Sequence, residues 1–173
     1  MAGIRQAGER AIDQMAGALL GEVRRVLRDT EPAFALGQMH LKSYKLPAAT
    51  PGQPAVTALR RTSLRLRDLA NTPDEADLQV LRQLESSFLQ GEPLPRVLVQ
   101  RVTREGQDPE WRVYRPLASL PQCSICHGPP EELAPGVPDA LKTFFPEDQA
   151  TGFAPGSWRG VIRASLTAPP PAP

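Results

Sequence analysis

Arg96-Val-Leu-Val-Gln-Arg-Val-Thr103 and Glu110-Trp-Arg-Val-Tyr-Arg-Pro-Leu117, separated by the polar Arg104-Glu-Gly-Gln-Asp108, decide the fold class. Both runs are rich in β-branched and aromatic residues, and a Gly-bearing polar stretch lies between them. They predict a hairpin with a five-residue loop. Upstream, Thr72-Pro-Asp-Glu75 has the form of a helix start, with Thr as cap, Pro in the first turn and Glu three residues after the cap. That helix is predicted to run to about Gln90, with Gly91 stopping it and Leu78, Leu81, Leu84 and Phe88 facing inward.

Ile4, Ile12, Met15, Leu19, Val23, Val26 and Leu27 recur at helical steps among Arg, Glu and Gln. Residues 4–29 therefore read as one amphipathic helix, ended by Pro32. Residues 33–46 read as a short helix followed by extended chain, and the Pro-rich 47–56 as a loop. Arg60 to Arg67 reads as a strand of alternating character, and Trp158 to Leu166 as the last strand. The sum is one α+β domain over residues 1–166 with an antiparallel sheet. A Pro/Ala tail, 167–173, is expected to be disordered.

The composition suits a chain with a core of its own. Forty per cent of the 173 residues are hydrophobic and 23% charged, close to ordinary globular usage. A net charge of +1 argues against a dedicated nucleic-acid binder. No run reaches the roughly 18–20 apolar residues of a membrane span, and no export signal is recognisable in this numbering. The cations are lopsided, 17 Arg against 3 Lys. Arg is the residue whose planar fork matches a carboxylate.

Both cysteines fall in Cys123-Ser-Ile-Cys126-His127. Cys-x-x-Cys-His is the attachment site of c-type haem. Two thiols two residues apart on a tight turn reach the two vinyl groups of a porphyrin as thioethers, and the next residue offers an imidazole to the iron. Two other readings stand beside it. A redox disulfide needs a helix N-terminus in a βαβ setting, whereas Pro121 precedes this motif and Gly128-Pro129-Pro130 follows it. Structural zinc needs four ligands, so Cys123, Cys126, His127 and His40 would have to converge. One covalent haem c is the expected cofactor. Haem c is attached outside the cytoplasm, so a periplasmic or other extracytoplasmic location is expected.

More than the motif is familiar. Tyr114-Arg-Pro-Leu117, Cys123 to Gly128, Asp148-Gln-Ala-Thr-Gly-Phe153 and Gly156-Ser-Trp-Arg-Gly160 resemble a c-haem-binding, PAS-like extracytoplasmic family long carried as a domain of unknown function. Arg61-Thr-Ser-Leu-Arg-Leu-Arg67 with Asn71, Pro73 and Glu75 resembles the same family's upstream signature, although Asp68-Leu69 stands where Asn-Pro is usual. The resemblance covers about residues 10–166. It implies a PAS-like antiparallel sheet with a long N-terminal helix. It also implies a sixth iron ligand from an Ala-x-x-x-Cys segment, matched here by Ala35-Leu-Gly-Gln-Met39. Met39 would give His/Met ligation and a raised reduction potential, and neighbouring His40 would give bis-His ligation. Arg61, Arg65 and Arg67, on alternating positions of one strand, and Arg115 near the haem loop are candidates to hold the propionates.

Two functions follow. In one, the haem carries electrons to a redox partner protein or within a larger complex. In the other, it senses redox state or a small gas ligand through the N-terminal helical segment. Neither is an enzyme activity.

Overall fold

The computed structural model describes residues 1–38 and 45–167. A 28-residue helix, α1 (Ala2–Asp29), is followed by α2 (Pro32–Gln38), β1 (Ala55–Thr62), α3 (Glu75–Leu89), β2 (Leu98–Val102) and β3 (Glu110–Ala118). A short turn, α4 (Ser124–His127), then α5 (Val137–Phe144) and β4 (Trp158–Thr167) complete the order. The four strands form one antiparallel sheet in the order β1-β4-β3-β2. The α+β class is as expected from the sequence, and the last strand runs on through Thr167.

Side chains alternate across the sheet. Val113, Ile162, Ala164 and Leu166 meet Ile4, Ile12, Met15 and Leu19 of α1 on one face. Tyr114 and Val161 meet Val80, Leu81 and Leu84 of α3 on the other. Gly8 lets α1 lie this close, since a Cβ there would sit 2.4 Å from a Val113 methyl. A third apolar cluster lies apart from these two. It joins Leu36 of α2, Cys126 of α4, and Val137 and Leu141 of α5.

Two sequence expectations are corrected. First, α3 is capped by Asp74, not Thr72, through a reciprocal box with Asp77. Its buried face is Asp77, Val80, Leu81 and Leu84, while Phe88 is 38% exposed. Second, the strand expected over 60–67 is β1, Ala55–Thr62, which begins inside the supposed loop. Of the three arginines thought to alternate along it, only Arg61 is in the strand; Arg65 and Arg67 lie in the irregular chain beyond.

The α3 face of the sheet hides an ionic cluster. Asp77 is 1% exposed and accepts from Arg163 at 2.9 and 3.0 Å, from Arg112 at 3.0 Å and from the Tyr114 hydroxyl at 3.0 Å. Asp74 takes both Arg112 Nη atoms at 2.6 Å, and Glu110 takes one at 3.0 Å. The Arg112 hydrogen bond holds the Asp74 carboxyl well below its ordinary range. Burial alone would raise Glu110, but hydrogen bonds from Arg112 and Arg104 outweigh it and bring it down to about 2.

These depressed values fix a pH dependence. The unfolded chain binds protons at these carboxylates that the folded chain refuses, so their stabilisation is present above the unfolded value and lost as pH falls through the folded one. For Glu110 the decline spans its ordinary 4.5 down to about 2. Urea titrations across that range are expected to show Glu110→Gln with a shallower loss than the parent. Parallel acid limbs in the two proteins would contradict this.

Candidate functional site

The motif's turn is built by its flanks. Pro121 opens a short 3₁₀ turn in which the Cys123 amide donates to Leu120 O at 2.8 Å. The Ser124 hydroxyl donates back to Pro121 O at 2.9 Å, and Gly128 ends α4 by donating to Ser124 O at 2.8 Å. A Cβ on Gly128 would lie 2.7 Å from that same oxygen. Both cysteines are free thiols, Cys123 half-buried and Cys126 buried. Burial pushes the Cys126 thiol up, so it stays protonated at neutral pH.

His127 is held in one protonation state and one tautomer. Its Nδ1 lies 2.6 Å from Ala150 O, and its Nε2 lies 3.3 Å from Arg67 Nη1. A carbonyl only accepts and a guanidinium only donates, so Nδ1 carries the hydrogen and Nε2 carries the lone pair. Burial, reinforced by the nearby Arg159 and Arg67, keeps its pKa well below the ordinary range and the ring neutral. A neutral imidazole with Nδ1–H on a backbone carbonyl is the form in which histidine presents Nε2 to a metal.

Two distant segments hold that ring in place. Arg67 forks onto Asp148 at 3.0 and 3.3 Å, and also reaches Cys126 O at 2.6 Å and Ala150 O at 3.3 Å. Arg65 donates to Gln149 O at 3.0 Å and to Thr151 O, and covers the Phe153 ring at 4.3 Å. The amides of Gly152 and Phe153 donate to Gly128 O and His127 O at 2.7 and 2.8 Å. The stretch 148–153 is thereby tied both to the loop after β1 and to the motif.

Arg61, Arg67 and Arg159 all act electrostatically on His127. The structure thus gathers around the motif three residues that the sequence offered, Arg61, Arg65 and Arg67, though not along one strand. Arg115 is not among them. It sits on the α1 face of β3 and donates to Asp13 of α1. Arg159 and Asp148 were in the quoted stretches without an assigned role. Met39 and His40, the candidate sixth ligands, lie outside the described residues. Among the described residues no group of three or more His, Cys, Asp or Glu side chains is arranged as a metal site by itself.

A model of the Tll0287-like family matches residues 9–167. The chain belongs to the Tll0287-like family. The matched span is close to the residues 10–166 that carried the resemblance in the sequence. Among solved structures, the crystal structure of the cyanobacterial heme-protein Tll0287 aligns with this Tll0287-like chain at a TM-score of 0.48 and 18% identity, covering 91% of this chain and 96% of that one. No curated protein matches it.

The donor set fits a haem. Two free thiols sit on one turn, a neutral histidine directly after them offers Nε2, and guanidiniums suited to carboxylates stand close by.

Proposed function

We propose that this Tll0287-like protein is a mono-haem, c-type cytochrome-like carrier of electrons with a PAS-like fold, working outside the cytoplasm with a redox partner protein or as a subunit of a redox complex. The observation that carries the reading is His127, neutral and fixed as the Nδ1–H tautomer, directly after two free thiols on one turn. Membership of the Tll0287-like family supports the cofactor, since Tll0287 itself is a cyanobacterial heme-protein.

In this reading Cys123 and Cys126 would hold the haem through thioether sulfurs, and His127 Nε2 would bind its iron. When bound, haem supplies a one-electron couple at its iron. Ala150 O keeps the Nδ1 proton in place, and the Arg67–Asp148 pair fixes the chain that carries Ala150. Met39 or His40 would be the further iron ligand.

One observation favours the sensing reading. Leu36 of α2 packs in the same apolar cluster as Cys126, so the helix leading to Met39 shares a core with the attachment turn. A change of ligand at that position would act directly on α2.

The test is an absorption spectrum of the full chain co-expressed with haem-attachment machinery, oxidised, reduced, and reduced under CO. A low-spin spectrum indifferent to CO, with haem that stays on the chain in acidified acetone, is the expected result. Rapid CO binding would favour sensing. A chain that carries no haem would end the reading, and zinc would be assayed next.

A further inference from the structure

We infer that Arg159 takes a haem propionate, while Arg65 and Arg67, equally eligible by sequence, serve the protein itself. The inference rests on the haem reading above and decides among the arginines by asking where each guanidinium is already committed.

Arg65 spends Nε and Nη2 on backbone carbonyls of 149–151, with its face on Phe153. Arg67 has its charge answered by Asp148, and its other hydrogen bonds go to Cys126 O, Ala150 O and His127. Arg61 is engaged as well. Arg60 donates to Ala70 O at 2.8 Å on the outer edge of the sheet. Arg159 differs from all of these. Among the described residues its side chain makes no hydrogen bond and no ion pair; its guanidinium stands 5.6 Å from the Phe153 ring, which Arg65 also covers. Its side chain is not swung out to water, for the residue is half-buried and its guanidinium lies beside the Phe153 ring.

A half-buried cation beside Arg67 and Arg61, with Asp148 acting on it only from beyond ion-pair distance, costs the fold free energy. Burial, and then repulsion from Arg67, lowers its pKa to about 10. Residues with an unanswered charge beside a candidate site are more readily explained by a ligand than by the fold. The ligand that suits Arg159 is anionic and lies beside His127, since Arg159 stands by Phe153, whose amide is bonded to His127 O. A haem held by His127 would bring two carboxylates, on the edge away from its thioethers, and a guanidinium fork matches a carboxylate bidentately.

The test compares Arg159→Met, Arg159→Lys and Arg65→Met with the parent, each as the full chain with and without haem. Without haem, Arg159→Met is expected to melt about 2–4 °C higher, as one repulsive charge is removed. With haem it is expected to melt lower than the parent. Its reduction potential is expected to be more negative, since a cation that opposes the ferric charge is gone. Arg159→Lys is expected to recover part of both holo effects, whereas Arg65→Met lowers the melting temperature in both forms. If Arg159→Met lowers both forms alike, Arg159 is a structural brace and the inference fails. Unchanged holo stability and potential would place the propionate elsewhere. Should the haem-free chain lack a cooperative transition, the two holo readouts decide. A parent chain that takes up no haem overturns the haem reading and this inference with it, an outcome distinct from haem uptake with no effect of Arg159.

Discussion

Asp77→Asn is expected to lower the free energy of unfolding by about 3–5 kcal/mol, the usual cost of stranding a buried charge. The size follows from what Asp77 balances. Arg163, 4% exposed, has both of its short carboxylate contacts on Asp77, and its next nearest, Asp74 Oδ2, is 3.8 Å away. An amide in place of the carboxylate removes the charge and turns an NH₂ toward donors. Arg112 is protected, since Asp74 holds both of its Nη atoms at 2.6 Å. The damage therefore concentrates on Arg163 and on the Tyr114 hydroxyl, which keeps only Gln100 at 3.1 Å. A loss of that size is a large part of the about 5–15 kcal/mol that holds a typical domain together. Urea denaturation of Asp77→Asn, Arg163→Met and the double variant measures it. The double variant is expected to be more stable than Asp77→Asn alone, because it no longer buries an unanswered cation. Additive losses would show that Asp77 acts only as the cap of α3.

The same residue explains where the sequence was and was not legible. α1, β2, β3 and β4 were readable because their patterns are local: helical spacing of apolar residues in α1, β-branched and aromatic runs in the strands. The start of α3 was not. Thr72-Pro-x-Glu75 offers one capping box and Asp74-x-x-Asp77 another; the second prevails because Asp77 also meets Arg112 and Arg163, which lie 35 and 86 residues away. Nothing local in a helix sequence announces that an Asp belongs inside. β1 was misplaced for a related reason. The prolines at 47, 51 and 54 masked its beginning, while the pairing partner that defines it, β4, is about a hundred residues downstream. At the site, Cys123, Cys126 and His127 were legible from spacing alone. Asp148, Ala150 and Arg159 were not, because their roles rest on contacts spanning 23 to 81 residues or on the want of a partner.

His127→Ala is expected to abolish the low-spin haem spectrum, and Arg67→Met to weaken the same ligation in a graded way. The first follows from the loss of Nε2, the one imidazole nitrogen the attachment turn presents. The second is the sharper test of how the site is built. Arg67 does not ligate; it positions. Its Nε and Nη2 hold Asp148 and Ala150 O, and Ala150 O in turn fixes the Nδ1 proton of His127. Its Nη1 lies 3.3 Å from Nε2, and one lone pair cannot serve both a guanidinium and an iron. Ligation would therefore break that contact and leave those to Asp148, Ala150 O and Cys126 O, so the brace on Ala150 outlasts the guard on Nε2. Removing such an outer partner commonly costs about 10–100-fold in the hold on a metal. In Arg67→Met the ferric protein is expected to surrender His127 to added imidazole at concentrations lower by about that factor, with haem still attached through the two sulfurs. Asp148→Asn is expected to fall between it and the parent, because Arg67 still reaches Ala150 O and Cys126 O. A general loss of stability would melt the three proteins differently without moving the imidazole midpoint at temperatures where all are folded. A shifted midpoint among folded proteins separates positioning from packing, and a midpoint common to all three would remove Arg67 from the support of the ligand.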